Sequence, residues 1–194
     1  MELQQQLEDA LKRAVADTFS VTLSLSPELN TNMSFSLQEN MIISSIGLAG
    51  AIEGNISLWI TVDIAADIVS KMLGIEIEPD SPDVMDGVGE IINMIAGGVK
   101  MKMDSTEYKF DISIPTTVKG DNIESVKSDK TLEFTQAYCC EKDICFQLKF
   151  AYRLHQVGGN STVDAQKEAS VSAFDKLSQL VEQSRKDDNN INSE

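Results

Sequence analysis

The chain has 194 residues, 42% hydrophobic, 24% charged and 6% aromatic, and its 16 Lys and Arg against 31 Asp and Glu give a net charge of −15. That length and apolar content support one domain of ordinary size that folds without metal or disulfide staples, and they exclude a disordered chain. The acidity excludes a nucleic-acid binder, no apolar run reaches the roughly 18–20 residues of a membrane span, and the polar residues 1–12 lack the apolar core of a secretory leader, so a cytoplasmic protein is expected.

Leu3, Leu7, Leu11, Val15 and Phe19 recur at helical spacing, with Ala10 and Ala14 beside them, and predict an amphipathic helix over 3–19. Residues 21–37 are rich in Ser, Thr and Asn and read as loop with short extended pieces, where Pro27 limits any helix. Residues 41–62 read as two strands. Ile42, Ile43 and Ile46 lead into Gly47, and Ile56, Leu58 and Ile60 then alternate with Asn55, Ser57 and Thr61. Gly50 and Gly54 fit a tight connection and a bend. Asp63 is the expected cap of a short helix over 64–73, ended by Gly74. After an acidic loop, a long helix is predicted over 82–103. Ser81 suits its N-cap, Pro82 its first position, Asp83 and Asp86 its positive end, and Lys100 and Lys102 its negative end.

Residues 108–115 follow as a strand, with Phe110, Ile112 and Ile114 alternating, and 120–130 as a polar loop. Residues 132–140 and 144–154 form a β-hairpin signal, and Phe146, Leu148, Phe150 and Tyr152 share one face of its second strand. Beyond the break at residues 158–161, Val171, Phe174, Leu177 and Val181 predict a further helix over 163–184, and 187–194 read as a disordered tail. The order α, β, β, α, α, β, β, β, α gives an α+β domain. Its antiparallel or mixed sheet packs against long helices, with an extra C-terminal helix.

The cysteines carry little chemistry on this reading. Cys139 and Cys140 are adjacent, so on a strand they point to opposite faces and make a poor disulfide with each other. With Cys145 the count is odd, which suits a reducing compartment, and strand packing accounts for all three. His155, the only histidine, has no partner motif.

The long helix is more informative. At about 100° per residue, Val84, Val88, Ile91, Ile92, Ile95 and Val99 fall on one side, which is core. Asp83, Asp86, Glu90, Asn93, Gly97 and Lys100 fall on the other. Glu90 and Asn93 are neighbours on that exposed face. Gly97 lies one turn further along and costs the helix about 1 kcal/mol relative to Ala, while letting a foreign backbone approach. Gly98 adds to that cost. On physics alone a plain solvated face is the simpler account of the Glu and Asn, and a helix ending near Ala96 reduces the glycines to a C-cap.

Asp86-x3-Glu90-x2-Asn93-x3-Gly97, within DGVGEIINMIAGGVK, resembles the signature of the CheC/CheX/FliY family of chemotaxis phosphatases. SSIGLAG at 44–50 followed by Gly54, AADIVSKMLG at 65–74, and Ser113-Ile114-Pro115 with Gly120 resemble other family segments in the same order. The resemblance covers residues 1–157, with 158–194 as an extension, and a single ExxN with a strong terminal hairpin is most similar to the CheX branch. The family often has Asn where Gly98 stands and a small residue where Val99 stands.

The resemblance implies a fold, a partner and an activity. The partner is a phosphorylated CheY-like response regulator, whose aspartyl phosphate is hydrolysed. Asn93 is implied to orient the attacking water, and Glu90 to pair with the regulator's active-site Lys. Asp86, Gly97 and Lys100 are the implied contact residues around them. The chain needs no metal or cofactor of its own, since Mg²⁺ is supplied in the regulator's active site. A homodimer through the sheet edge at 132–154 is also implied, unless the C-terminal helix covers that edge. Two rivals stand beside this reading. One is a non-catalytic binding module, like FliM-type relatives that share the fold. The other is a metal-dependent hydrolase using Asp83, Asp86 and Glu90.

Overall fold

The apolar stripes foreseen on the first helix and on the long helix meet on one face of a single sheet. The computed structural model describes residues 2–31, 40–123, 130–140 and 144–154, all within one compact unit, Met1–Gln156. The elements are α1 (Glu2–Leu23), β1 (Glu28–Leu29), β2 (Met41–Gly50), β3 (Ile52–Thr61), α2 (Val62–Leu73), α3 (Pro82–Met103), β4 (Phe110–Ile112), β5 (Thr116–Gly120), β6 (Leu132–Cys139) and β7 (Cys145–Leu154). The seven strands run in the order β1-β6-β7-β3-β2-β4, with β5 also on β2, and every described pair is antiparallel.

Register sets which side chains meet the helices. Phe134, Phe150, Ile56 and Ile46 form one cross-strand row, and the pairs Tyr138–Phe146 and Ile60–Ile42 share its face. These residues are buried under Leu7, Leu11, Val15 and Phe19 of α1 and Val88, Ile91, Ile92 and Ile95 of α3. Phe19 stacks on Phe146 with ring centroids 4.6 Å apart. On the opposite face, polar residues such as Glu53, Asn55, Lys149 and Arg153 stand beside a smaller apolar group, Met41, Ile43 and Ala137. The Lys149 ammonium sits 4.8 Å from the Trp59 ring centroid, and Arg153 meets Glu53 at 2.6 Å. Alternation of this kind is what a one-sided antiparallel sheet requires.

Several local expectations are corrected. α1 runs four residues past Phe19, to Leu23. Thr61, not Asp63, is the N-cap of α2, and Asp63 lies in the first turn. Gly74 does end that helix, with φ at +70°. Gly54 is not a bend but part of β3, where φ is +153° and a Cβ would overlap the Ala151 carbonyl oxygen of β7. The strand expected over 108–115 is only Phe110–Ile112. β1 is one of the short extended pieces expected within 21–37, whereas β5 went unread. Cys139 and Cys145 are directly opposed across the hairpin and joined as a disulfide, with their Cα atoms 4.2 Å apart. Strand packing alone therefore does not describe these two. His155, the helix expected over 163–184 and the tail at 187–194 lie outside the described residues.

The β2 edge shapes the site. β4 pairs with Leu48–Gly50 and β5 with Met41–Ser45, so two short strands share one partner. Between them, Ser113 substitutes for the ladder. Its N–H donates to the Gly47 carbonyl at 2.9 Å, and its Oγ accepts the Gly47 N–H at 2.9 Å. Pro115 has no N–H to offer a ladder, so the break falls where the sequence cannot continue one.

Candidate functional site

α3 forms where its caps dictate. Ser81 is extended, accepts the Asp83 N–H on its Oγ at 3.3 Å, and donates its own hydroxyl to Asp83 Oδ2 at 3.1 Å. Pro82 takes the first turn, where a missing N–H does no harm. The helix continues unbroken through Gly97 and Gly98 for 22 residues, so it does not end near Ala96. Val84, Val88, Ile91, Ile92, Ile95 and Val99 are buried as the spacing requires.

Four glycines interrupt this helix, and they differ physically. A Cβ on Gly87 would lie 2.5 Å from Val69 Cγ2 of α2, too close for any real contact. One on Gly98 would lie 3.0 Å from the Ala14 Cβ, where α1 crosses. These two let neighbouring helices approach. A Cβ on Gly97 would meet nothing within 4 Å. One on Gly89 would meet only Thr117 Oγ1 at 3.5 Å and Pro115 Cγ at 3.7 Å, ordinary contacts. Packing within the chain therefore explains Gly87 and Gly98, and not Gly89 or Gly97.

The uncovered face carries the residues singled out from sequence. Asp86 and Glu90 are exposed, while Asn93 and Gly97 are partly covered. Glu90 and Asn93 project together, one turn apart. Lys100 does not join them. It stands about 15 Å along the axis from Glu90 at 1.5 Å per residue, and its ammonium lies 3.4 Å from Asp111 Oδ1 and 3.9 Å from Asp104 Oδ1. It ties the end of α3 to β4. Asp83 is occupied at the cap, so Asp83, Asp86 and Glu90 do not converge as a metal-binding set. Among the described residues, no three His, Cys, Asp or Glu side chains are grouped to hold an ion.

Sequence reasoning did not foresee what stands beside Glu90. The β4–β5 connection brings Pro115 and Thr117 against α3, and an open groove of about 530 Å³ lies between them, lined by Met85, Asp86, Gly89, Glu90, Pro115 and Thr117. Ser44 anchors its wall: it is fully buried on β2 and its hydroxyl lies 2.8 Å from that of Thr117. Ile114, next to Pro115 in the chain, is 85% exposed. Lys119 reaches Asp80, just ahead of α3, at 2.8 Å and holds that carboxyl below its ordinary range, by hydrogen bonding first and by charge second. The run of β-branched residues Thr116-Thr117-Val118 was the available signal for β5.

The arrangement is an exposed carboxylate and a carboxamide beside a groove. Asn93 offers an acceptor oxygen and two donor hydrogens without carrying charge. Such a pair can orient a water or a partner's polar group. No described helix is long and apolar enough to cross a membrane.

Comparison with known proteins agrees with this fold. The CheY-P phosphatase CheX of Thermotoga maritima is 27% identical over 143 residues, 72% of this chain and 92% of that protein. The crystal structure of chemotaxis protein CheX from Vibrio vulnificus has the same fold, with a TM-score of 0.66, 19% identity, and coverage of 76% of this chain and 96% of that one. CheX in the CheX–CheY–BeF3–Mg²⁺ complex of Borrelia burgdorferi also shares it, with a TM-score of 0.59, 19% identity, and coverage of 75% and 96%. The model of the family described as chemotaxis phosphatase CheX matches residues 42–138, from the second residue of β2 to Tyr138 in β6 and through the whole of α3. The chain belongs to the chemotaxis phosphatase CheX family.

Proposed function

We propose that this protein stimulates hydrolysis of the aspartyl phosphate on a CheY-like response regulator, with Asn93 positioning the attacking water and Glu90 pairing with the regulator's active-site Lys. The observation that carries this is the shared projection of Glu90 and Asn93 from the uncovered face of α3. Kinship with a protein named as a CheY-P phosphatase supports the substrate, and a relative crystallised with CheY, BeF3 and Mg²⁺ supports the mode of encounter. On this reading Mg²⁺ belongs to the regulator. The chain contributes one amide, one carboxylate and a surface shaped to bring them into someone else's pocket.

The energetics are modest. An aspartyl phosphate is a reactive mixed anhydride already held by its own metal and lysine, so in-line water is the missing part. A hundredfold stimulation needs only about 2.7 kcal/mol of barrier lowering. The Asn93 carbonyl orients the water and its NH₂ reaches a phosphoryl oxygen. Glu90 sets the register, and becomes directional as both charges lose water at the contact. Asp86 and Gly97 extend the contact surface, and Lys100 marks its outer limit. Residues 1–157 form the phosphatase domain and 158–194 an appended segment. The protein acts in the cytoplasm, where such regulators are phosphorylated.

The test is a phosphorylated CheY-type receiver domain incubated with wild type and with Asn93→Ala, following phosphate release. The variant is expected to lose about a hundredfold in stimulated rate and to keep its melting temperature. Equal rates overturn the reading.

A homodimer belongs to the same proposal. β6 pairs with β1 only at Tyr138 and Cys139, so the described strands leave its Leu132–Gln136 stretch without an outer partner. Leu132 is 56% exposed there. Open apolar edges of this kind recruit a strand. Sedimentation equilibrium is expected to give twice the chain mass, with Phe134→Pro shifting it to the monomer. A monomeric wild type overturns this part.

A further inference from the structure

We propose that Gly89 is a specificity-determining residue, whose missing side chain opens the groove beside Glu90 to a long basic side chain from the docked receiver domain, one outside the receiver's own catalytic set. This rests on the reading of Glu90 and Asn93 above and adds a second subsite to it.

Gly89 sits in the middle of a 22-residue helix, where glycine is worth about 1 kcal/mol less than alanine. No neighbour requires that sacrifice. A Cβ there would touch Thr117 Oγ1 at 3.5 Å and Pro115 Cγ at 3.7 Å, both comfortable distances. The contrast with Gly87, two residues earlier and pressed against Val69, is direct. What the absent Cβ leaves is the floor of the groove between α3 and the β4–β5 connection. A methyl group added there would raise the floor without disturbing the fold.

The lining names the occupant. Met85 and Pro115 make apolar walls, suited to an aliphatic stem. Asp86 and Glu90 are the charged lining residues, both acidic and both exposed, and among the described residues no cation lines the groove. The Thr117 hydroxyl is engaged with buried Ser44, so the wall is held in place from behind. An aliphatic chain ending in a cation fits that combination: a lysine or arginine laid over Gly89 with its head at Asp86. The groove opens on the same helix face as Glu90 and Asn93, so the molecule that brings a phosphate to Asn93 passes directly over it. A net charge of −15 adds a general attraction for such a cation.

The experiment measures steady-state dephosphorylation of a phosphorylated CheY-type receiver domain as a function of receiver concentration and salt. Gly89→Ala is expected to raise KM at least fivefold, with kcat within twofold of wild type, and to melt no lower. Asp86→Asn is expected to flatten the rise of KM with ionic strength. Wild-type KM in Gly89→Ala overturns the inference, as does a Gly89→Ala that melts lower, because the fold would then need the glycine. An unaltered salt slope in Asp86→Asn overturns the basic occupant. Asn93→Ala separates the two levels: if it destroys activity while Gly89→Ala leaves KM unchanged, the phosphatase reading stands and the subsite alone fails.

Discussion

The two faces of α3 obey different rules. On the buried face every residue answers to a neighbour within the chain. Val84, Val88, Ile91, Ile92, Ile95 and Val99 fill the space over the sheet, and Gly87 and Gly98 exist because α2 and α1 come too close for anything larger. On the open face, between the capping Asp83 and the ion-paired Lys100, the described residues ask for little. Glu90 could be any soluble residue, Asn93 is a poorer helix former than many alternatives, and Gly97 and the buried Gly89 weaken the helix although no described neighbour would crowd a Cβ at either. Residues that the described fold does not require, gathered on and beside one exposed strip, are best explained by a second molecule.

The glycines break or sharpen that contrast most directly, since one substitution should have opposite signs on the two faces. Gly87→Ala must displace Val69, a fully buried side chain of α2, and is expected to lower stability by about 1–3 kcal/mol as an overpacked core does. Gly97→Ala places its methyl in open space, and is expected to raise stability by about 1 kcal/mol through better helix propensity. Urea unfolding midpoints of the two variants measure both. In the dephosphorylation assay the order should reverse: folded Gly87→Ala retains its activity, whereas Gly97→Ala, although more stable, is slowed. A Gly97→Ala that is both more stable and fully active would mean that the open face is merely solvated.

What the sequence disclosed follows the same division between local and non-local physics. The bounds of α3 were readable because Ser81, Pro82 and the apolar spacing act within a turn or two of the residues they govern. Glu90 and Asn93 were readable as neighbours for the same reason, although a role for them came only from resemblance. The groove was not readable. Its wall depends on β5 pairing with β2 across more than 70 residues of chain, on Ser113 substituting for a ladder bond at Gly47, and on Pro115 falling at that break. β1 has two residues and β5 five, too few for a periodic signal. The Cys139–Cys145 pair depends on hairpin register, which spacing alone does not supply. Gly98 looked costly in sequence because Ala14, the atom it avoids, lies 84 positions away.

A smaller test asks whether the two faces are energetically independent. Tyr138 lies on the far side of the sheet from the β2 edge, stacked on Phe146 with centroids 5.5 Å apart, and its hydroxyl donates to Gln136 Oε1. Burial pushes its phenol far above the ordinary value of 10.0. The sign follows from linkage. An unfolded tyrosine begins to ionise near pH 10 while the buried one does not, so stability that is complete below that pH drains away as pH rises through it, by about 1.4 kcal/mol per unit. Tyr152, raised for the same reason, adds to the loss. Tyr138→Phe is expected to weaken the fold by about 1 kcal/mol at neutral pH through the lost hydrogen bond, and then to lose less than wild type between pH 10 and 11. Guanidinium midpoints across that interval measure both effects. An alkaline loss identical to wild type would show that the buried phenol does not govern it. At neutral pH the same variant should dephosphorylate a receiver at the wild-type rate, because a perturbation of the core that leaves α3 in place has no route to a strip of residues the core never touches.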